Sequence, residues 1–265
     1  MAAMEEITSI HNPRIRQLLA LQQKSRDRRE EGLFVVEGIR EIRHCMEAGF
    51  RVDTLFLCEE LCPAGCLDGM QAANAFRIPA SLYERIAYRG STEGVIATVH
   101  ARETSLCDLP PVANPLIVVL EGVEKPGNIG AVLRSADAAH ADCVILCDTP
   151  TDLYNPNLIR ASLGAVFTVP VVVCTSQECI SFLKSRGIQI LTAQLQDSVP
   201  YYRTCMTVPT AIVMGTESTG LSPIWRQAAD AHINIPMLGR LDSLNVSVST
   251  AILLFEGVRQ RLSGS

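Results

Sequence analysis

The sequence predicts an α/β protein of two domains, the second a parallel sheet covered by helices on both faces. Three observations lead there. Short apolar runs alternate with helix-like segments along the chain. The connections between them are short, which favours parallel strands joined by helical crossovers. A Pro-containing stretch, Ala101–Pro115, interrupts the alternation, and 265 residues are comfortable for two domains. In the first half, Ile15, Leu18, Leu19 and Leu21 recur at helical spacing. Leu33–Val36 reads as a strand, Ile39–Ala48 as a helix and Val52–Cys58 as a strand. Ser91-Thr92-Glu93-Gly94 leads into a further strand at Val95–Val99.

Beyond the interruption, strands are expected at Leu116–Leu120, Cys143–Cys147, Val169–Val173, Gln189–Ala193, Ala211–Met214 and His232–Ile235. Helices are expected at Ile129–His140, Pro156–Leu163, Ser176–Arg186, Pro223–Ala228 and Val246–Leu262. The domain limits are set at 1–105 and 116–265, with 106–115 as a linker. Ligands of such sheets bind in loops at the carboxyl ends of strands. The chemistry is therefore expected in loops 121–130, 193–198, 215–222 and 236–245. No internal repeat or low-complexity tract is evident.

Composition bounds the function classes. At 48% hydrophobic, the chain can bury a sizeable core. At 5% aromatic, it offers little for stacking single-stranded nucleic acid. A net charge of −5 lacks the basic footprint of a nucleic-acid-binding domain. Against this, Arg14, Arg16, Lys24, Arg26, Arg28 and Arg29 cluster near the N-terminus. With Asp27, Glu30 and Glu31 interleaved, a solvated helix face and a phosphate-binding face both remain open. The opening MAAMEEITSIHN has no basic or apolar signal region, and the apolar runs are too short to span a bilayer. A cytoplasmic protein with mostly reduced thiols is expected. Cys143, Cys147 and Cys174 read as small buried strand residues. Cys58, Cys62 and Cys66 have three residues between them at each step, but Pro63 and Gly65 break the segment and no fourth ligand is close, so no metal is expected.

Three segments carry candidate chemistry. The first, Glu121 to Gly130, follows a strand and opens a helix bearing Arg134. It lacks G-x-G-x-x-G, so it is no dinucleotide fingerprint. It is either an ordinary turn or a loop beside a phosphate-clamping arginine, since guanidinium suits bidentate phosphate contact. The second, Gly215-Thr216-Glu217-Ser218-Thr219-Gly220-Leu221-Ser222, approaches a phosphate loop, but Leu221 replaces its lysine and Glu217 brings a negative charge. It favours a neutral or cationic ligand over a triphosphate. In the third, Ser243, Asn245, Ser247 and Ser249 crowd a helix N-terminus, where one cap suffices. The surplus points to a ligand, with further caps and core hydrogen bonds as the other account.

Together these segments resemble the ordered signatures of the SpoU-type (TrmH-like) RNA 2′-O-methyltransferases of the SPOUT class. The resemblance runs through Asn128-Ile129-Gly130 with Arg134, then Gly215-x-Glu217-x-x-Gly220-Leu221-Ser222, then Ile235-Pro236-Met237 with Ser243-Leu244-Asn245-Val246-Ser247. Arg160–Ala165 is similar to a further family segment. Phe34–Gly38 and Glu93–Ala97 are similar to its L30e-like substrate-binding domain. The resemblance implies a deep trefoil knot in the C-terminal domain, with the chain from about Ala211 threading a loop. It implies S-adenosylmethionine as cofactor, bound by Ala193, Gly215, Glu217, Gly220, Ile235, Met237, Leu244 and Asn245. It implies Arg134 as catalytic residue, with Asn128, Glu217, Ser243 and Asn245 positioning the ribose, the arginine or the cofactor. Because arginine keeps its proton in proteins, Arg134 is expected to clamp phosphate and stabilise oxyanion charge. A homodimer is implied, as is an RNA substrate, ribosomal favoured over transfer RNA. Its phosphates would meet Arg14, Arg16, Arg26, Arg28 and Arg29. The rival readings are a nucleotide-dependent enzyme, a non-catalytic RNA-binding module and a base methyltransferase.

Overall fold

The computed structural model describes residues 4–63, 65, 69–88 and 93–263. Cys66 of the cysteine series and Ser91-Thr92 lie outside the described residues. The chain forms two compact units, Met1–Arg102 with Asp152–Thr168, and Glu103–Thr151 with Val169–Ser265. The first unit thus takes in a segment from the middle of the chain.

The first unit runs β1 (Glu5–Glu6), α1 (Pro13–Gln23), α2 (Ser25–Glu31), β2 (Leu33–Glu37), α3 (Ile39–Glu47), β3 (Val52–Leu57), β4 (Asn74–Arg77), α4 (Ala80–Ile86) and β5 (Val95–His100). Its sheet order is β1-β4-β3-β5-β2, with β5 antiparallel to β2 and β3. Asn12 starts α1 by accepting from the Arg14 N–H at 2.9 Å, with Pro13 in the first turn, where a missing N–H costs nothing. Ile15, Leu18 and Leu21 then share one helix face and join Phe56, Phe76, Tyr83 and Ile86 in the core. Strand β4 and helix α4 were not expected from the sequence. Asn74–Arg77 has one fully inward apolar residue, Phe76, too few to give a period.

The second unit opens with β6 (Leu116–Glu121), α5 (Pro126–Ala138) and β7 (Cys143–Cys147). The chain visits the first unit through α6 (Pro156–Ser162) and α7 (Ala165–Thr168). It continues with β8 (Val171–Cys174), α8 (Ser176–Ser185), β9 (Gln189–Ala193), β10 (Val199–Pro200), β11 (Thr210–Met214), α9 (Pro223–Ala228), β12 (Ala231–Asn234) and α10 (Val246–Ser263). The sheet order is β10-β12-β9-β11-β6-β7-β8, and its pairings are parallel. Alternate residues Ile117, Val119, Ile145, Cys147, Ala211 and Val213 face a core shared with Ile180, Leu183 and Trp225 of α8 and α9. Helices α5 and α10 pack on each other and on β7, β6 and β11, covering the opposite face. An α/β fold with a parallel sheet is therefore present as expected.

Among the boundaries that moved, three have a local reason. Helix α5 begins at Pro126 rather than Ile129, because proline is at home in a first helical turn. Asn128 consequently lies inside the helix. Strand β8 begins at Val171 rather than Val169, after Pro170, which has no ladder N–H. Strand β12 ends at Asn234, one residue early, which frees Ile235 from the ladder. No helix of the described residues is long and apolar enough to cross a membrane.

Candidate functional site

The carboxyl ends of β9, β11 and β12 open into a cleft of about 460 Å³ within the second unit. That size suits a small organic ligand, for which pockets run about 300–1,000 Å³. Ala193, Gly215, Glu217, Gly220, Ile235, Met237, Ser243 and Leu244 all line it, as do Met214, Leu221 and Leu253. Loops 193–198, 215–222 and 236–245 thus contribute as the sheet direction requires. Loop 121–130 lies outside the lining and reaches the site through two side chains, Lys125 and Asn128.

The second segment explains its own glycines. Thr216 and Gly220 form an antiparallel bridge, with N–H to O distances of 3.3 and 3.1 Å. Gly220 sits at φ +68°, and a Cβ on Gly215 would stand 2.3 Å from the Gly220 carbonyl carbon. Only a residue without Cβ allows that crossing. The Thr216 hydroxyl also takes the Thr219 N–H at 3.1 Å. These N–H groups are satisfied inside the loop, so it is not the open anion cradle of a phosphate loop.

Glu217 stands at the rim and joins the three segments. Its Oε1 accepts from Asn245 Nδ2 at 2.8 Å, Asn128 Nδ2 at 3.3 Å and the Val246 N–H at 3.3 Å. Its Oε2 lies 3.5 Å from Lys125 Nζ. Asn245 Nδ2 also reaches Asn128 Oδ1 at 3.1 Å. The Val246 N–H, Lys125 and Asn128 hold the Glu217 carboxyl below the ordinary glutamate value. Asn245 serves the helix as well. Its Oδ1 accepts from the Ser247 N–H at 3.0 Å and the Ser247 hydroxyl at 2.6 Å, which caps α10. Part of the serine surplus is therefore a cap. Ser249 lines the cleft, and Ser243 donates to Asp242 at 3.4 Å.

Arg134 is exposed on α5, outside the cleft lining, and its side chain has no hydrogen bond or ion pair among the described residues. The structure does not bring it into the Glu217 network. One residue of the first segment has a role that the sequence did not show. Glu121, buried at the end of β6, accepts from the Ser222 N–H at 2.8 Å and from the Ser222 hydroxyl. Ser176 donates to it at 3.4 Å and itself accepts from Trp225 Nε1 at 2.8 Å. Glu121 anchors the second segment to the sheet. Its one sequence signal is a charge closing an apolar strand.

In the first unit the basic residues separate. Arg14, Arg16, Arg26 and Arg29 are exposed, with Arg26 paired to Glu30 at 2.7 Å and Arg14 over the Phe76 ring at 4.5 Å. Arg28 does not join them. It is 4% exposed, pairs with Asp152 at 2.6 Å and donates to the Leu21 carbonyl. Its expected phosphate contact is withdrawn, because a guanidinium buried against a carboxylate is out of reach of an RNA phosphate.

Comparison with known proteins gives this geometry its context. Residues 115–255 match the SpoU rRNA methylase family, and residues 12–97 match the MRM3-like substrate binding domain. The 23S rRNA (uridine(2479)-2′-O)-methyltransferase of Streptomyces viridochromogenes is 31% identical over 99% of this chain and 94% of its own length. The 23S rRNA (guanosine(2553)-2′-O)-methyltransferase RlmP of Bacillus subtilis is 26% identical over 95% of this chain and 98% of its own. The crystal structure of the SpoU methyltransferase AviRb from Streptomyces viridochromogenes, in complex with the cofactor AdoMet, superposes with a TM-score of 0.88. It is 29% identical and covers 96% of this chain and 100% of its own. The two matched segments span most of the chain, and the chain belongs to the SpoU rRNA methylase family.

Proposed function

We propose that this chain transfers the methyl group of S-adenosylmethionine to a ribose 2′-hydroxyl of ribosomal RNA. The observation that carries the proposal is the Glu217 network, which ties Asn128 of the first segment and Asn245 of the third to the rim of the 460 Å³ cleft. The names of the relatives support the substrate class, and the AdoMet-bound neighbour supports the cofactor. The residues present fit that cofactor. Met214, Leu221, Ile233 and Leu253 offer apolar surface, while Glu217 and Asp242 place negative charge at the rim. Among the described lining residues the one cationic side chain, Arg226, is engaged by Gln196 at 3.0 Å and Asp197 at 3.4 Å. A cationic sulfonium is favoured there and a triphosphate is not.

When bound, S-adenosylmethionine supplies a methyl group activated by its sulfonium. The chain must then align the ribose hydroxyl and lower its proton cost. Glu217, held below the ordinary carboxylate value, is a poor general base and a good fixed acceptor. It orients the Asn128 and Asn245 amides, and Ser243 adds a hydroxyl to the cleft wall. Guanidinium is no base in proteins, so the part proposed for Arg134 is to clamp the target phosphate and stabilise developing oxyanion charge. Its exposure and lack of an intramolecular partner among the described residues suit that part.

The same reading extends to assembly and substrate choice. Val248, Phe255 and Leu262 recur every seventh residue of α10 and are exposed, which leaves an apolar stripe along one helix face. A homodimer through the second unit would cover it. Residues 1–105 would form an L30e-like RNA-binding domain, joined by 106–115 to a methyltransferase domain at 116–265. Arg14, Arg16, Arg26 and Arg29 would meet phosphates. Family membership, with β11 set between β9 and β6, supports a trefoil knot in the C-terminal part. The cytoplasm is the compartment proposed for this work. The test offers tritiated S-adenosylmethionine with unmodified ribosomal RNA, ribosomal particles and transfer RNA in parallel. Label in a ribosomal substrate supports the proposal; label confined to transfer RNA, or to none despite cofactor binding, overturns the substrate assignment.

A further inference from the structure

Three cysteines outside the cleft form a cluster that methyl transfer does not use. The sulfurs of Cys147, Cys174 and Cys179 all lie within 4.8 Å of one another. Two local rules assemble them. Cys147 and Cys174 are register partners on the neighbouring parallel strands β7 and β8, so their Cα atoms stand about 4.8 Å apart. That spacing lies inside the roughly 4.4–6.8 Å window for a disulfide. Thr175 and Glu178 form a capping box at the start of α8. Cys174 and Cys179 then occupy the two positions flanking the box that pack on each other as a hydrophobic staple. Cys147 and Cys179 are buried, and Cys174 is half-buried. The cluster has three sulfurs, and among the described residues no histidine or carboxylate joins them, one ligand short of a closed tetrahedral zinc site.

We propose that this cluster is a thiol-oxidation site, in which a hydroperoxide oxidises Cys174 and the thiol of Cys147 or Cys179 resolves it as a disulfide. The Cys174 thiolate attacks one peroxide oxygen; the O–O bond breaks, hydroxide leaves and a sulfenic acid forms. The neighbouring sulfur then attacks the Cys174 sulfur, its proton and the sulfenic oxygen leave as water, and the S–S bond forms. Two thiols lose two electrons, and hydrogen peroxide becomes two waters. Cys174 is the attacking group because it alone of the three is partly open to solvent. Hydrogen bonds from Cys147 and then Cys179 also favour its thiolate. They lower it from the ordinary thiol value against burial and the Glu178 and Asp148 charges. The donor Cys147 is raised in turn.

The test treats the reduced protein with limiting hydrogen peroxide, alkylates what remains and maps cysteines by mass spectrometry. Exposed Cys107 is the internal reference. The expected result is a crosslinked peptide joining Cys174 to Cys147 or Cys179, reversed by dithiothreitol, with Cys174 consumed about tenfold faster than Cys107. Cys174→Ser should abolish the crosslink while Cys107 reacts as before. A Cys174 no faster than Cys107, or one oxidised without any crosslink, overturns the proposal. The wild-type map decides this without relying on the folding of any variant.

Discussion

Replacing Gly215 by alanine probes the cleft at its tightest point. The added Cβ would lie 2.3 Å from the Gly220 carbonyl carbon, 2.4 Å from its oxygen and 2.6 Å from the Leu221 nitrogen. Ordinary contact begins at 3.4 Å, so the loop must retreat by 3.4 − 2.3, about 1.1 Å. All three obstacles are backbone, and no side-chain rotation relieves them. The retreat sacrifices the Thr216–Gly220 bridge, whose two hydrogen bonds contribute about 0.5–1.5 kcal/mol each. With the overpacking itself, the cost comes to roughly 2–4 kcal/mol. That corresponds to a fall in melting temperature of about 5–10 °C. Because Gly215, Glu217, Gly220 and Leu221 line one wall, affinity for S-adenosylmethionine should fall about 30-fold or more. Calorimetric titration and a thermal melt read both. Gly127→Ala is the control: nothing lies within 4 Å of its Cβ position, and alanine is the better helix former. If Gly215→Ala bound the cofactor within about threefold of wild type and melted unchanged, the steric reasoning and the placement of the cofactor would both fail.

Further predictions concern the rim, the first unit and the α10 stripe. Glu217 has its pKa lowered on folding, first by the Val246 N–H and then by Lys125 and Asn128. Its stabilising contribution is therefore complete above the unfolded glutamate value and lost as pH falls through the folded one. The melting-temperature gap between wild type and Glu217→Gln should be constant above about pH 5 and close as pH drops below about 4. A gap that opened on acidification would contradict the shift. Arg28→Ala takes the buried guanidinium from half-buried Asp152 and should cost about 1–3 kcal/mol by denaturant titration. Arg29→Ala should leave stability unchanged, weaken RNA binding and flatten its salt dependence by about one unit of slope. Phe255→Glu, on the exposed stripe of α10, should convert a dimer to a monomer in light scattering. A dimer that survived it would place the interface elsewhere.

Much of the second unit was legible because its central strands are continuous apolar runs. Leu116–Leu120 and Cys143–Cys147 read as buried runs and are strands, and Pro223–Ala228 was found with both ends. The site was legible as three separate segments, and the structure joins two of them, through Asn128 and Asn245, to Glu217 of the other. The linear text could not show that joining, because the partners are 89 and 28 residues apart. Two other features were hidden for different reasons. Arg28 reads as one more exposed basic residue until Asp152, 124 residues away, buries and pairs it. Glu121 reads as the end of a strand, and its value as an anchor depends on Ser222 and Ser176, from a loop and a helix elsewhere in the sequence. Local pattern reports period and caps; partners brought together by the sheet are tertiary facts.

The central claim is methyl transfer to a ribose hydroxyl. The most direct measurement digests RNA labelled by wild type and by Arg134→Lys to nucleosides and identifies the labelled species by mass spectrometry. The prediction is a 2′-O-methylnucleoside from wild-type reactions. The variant should bind the cofactor normally, since Arg134 lies outside the cleft lining. Its turnover should fall about 100-fold or more. Label on a base, or a variant that turns over like wild type, would contradict the account.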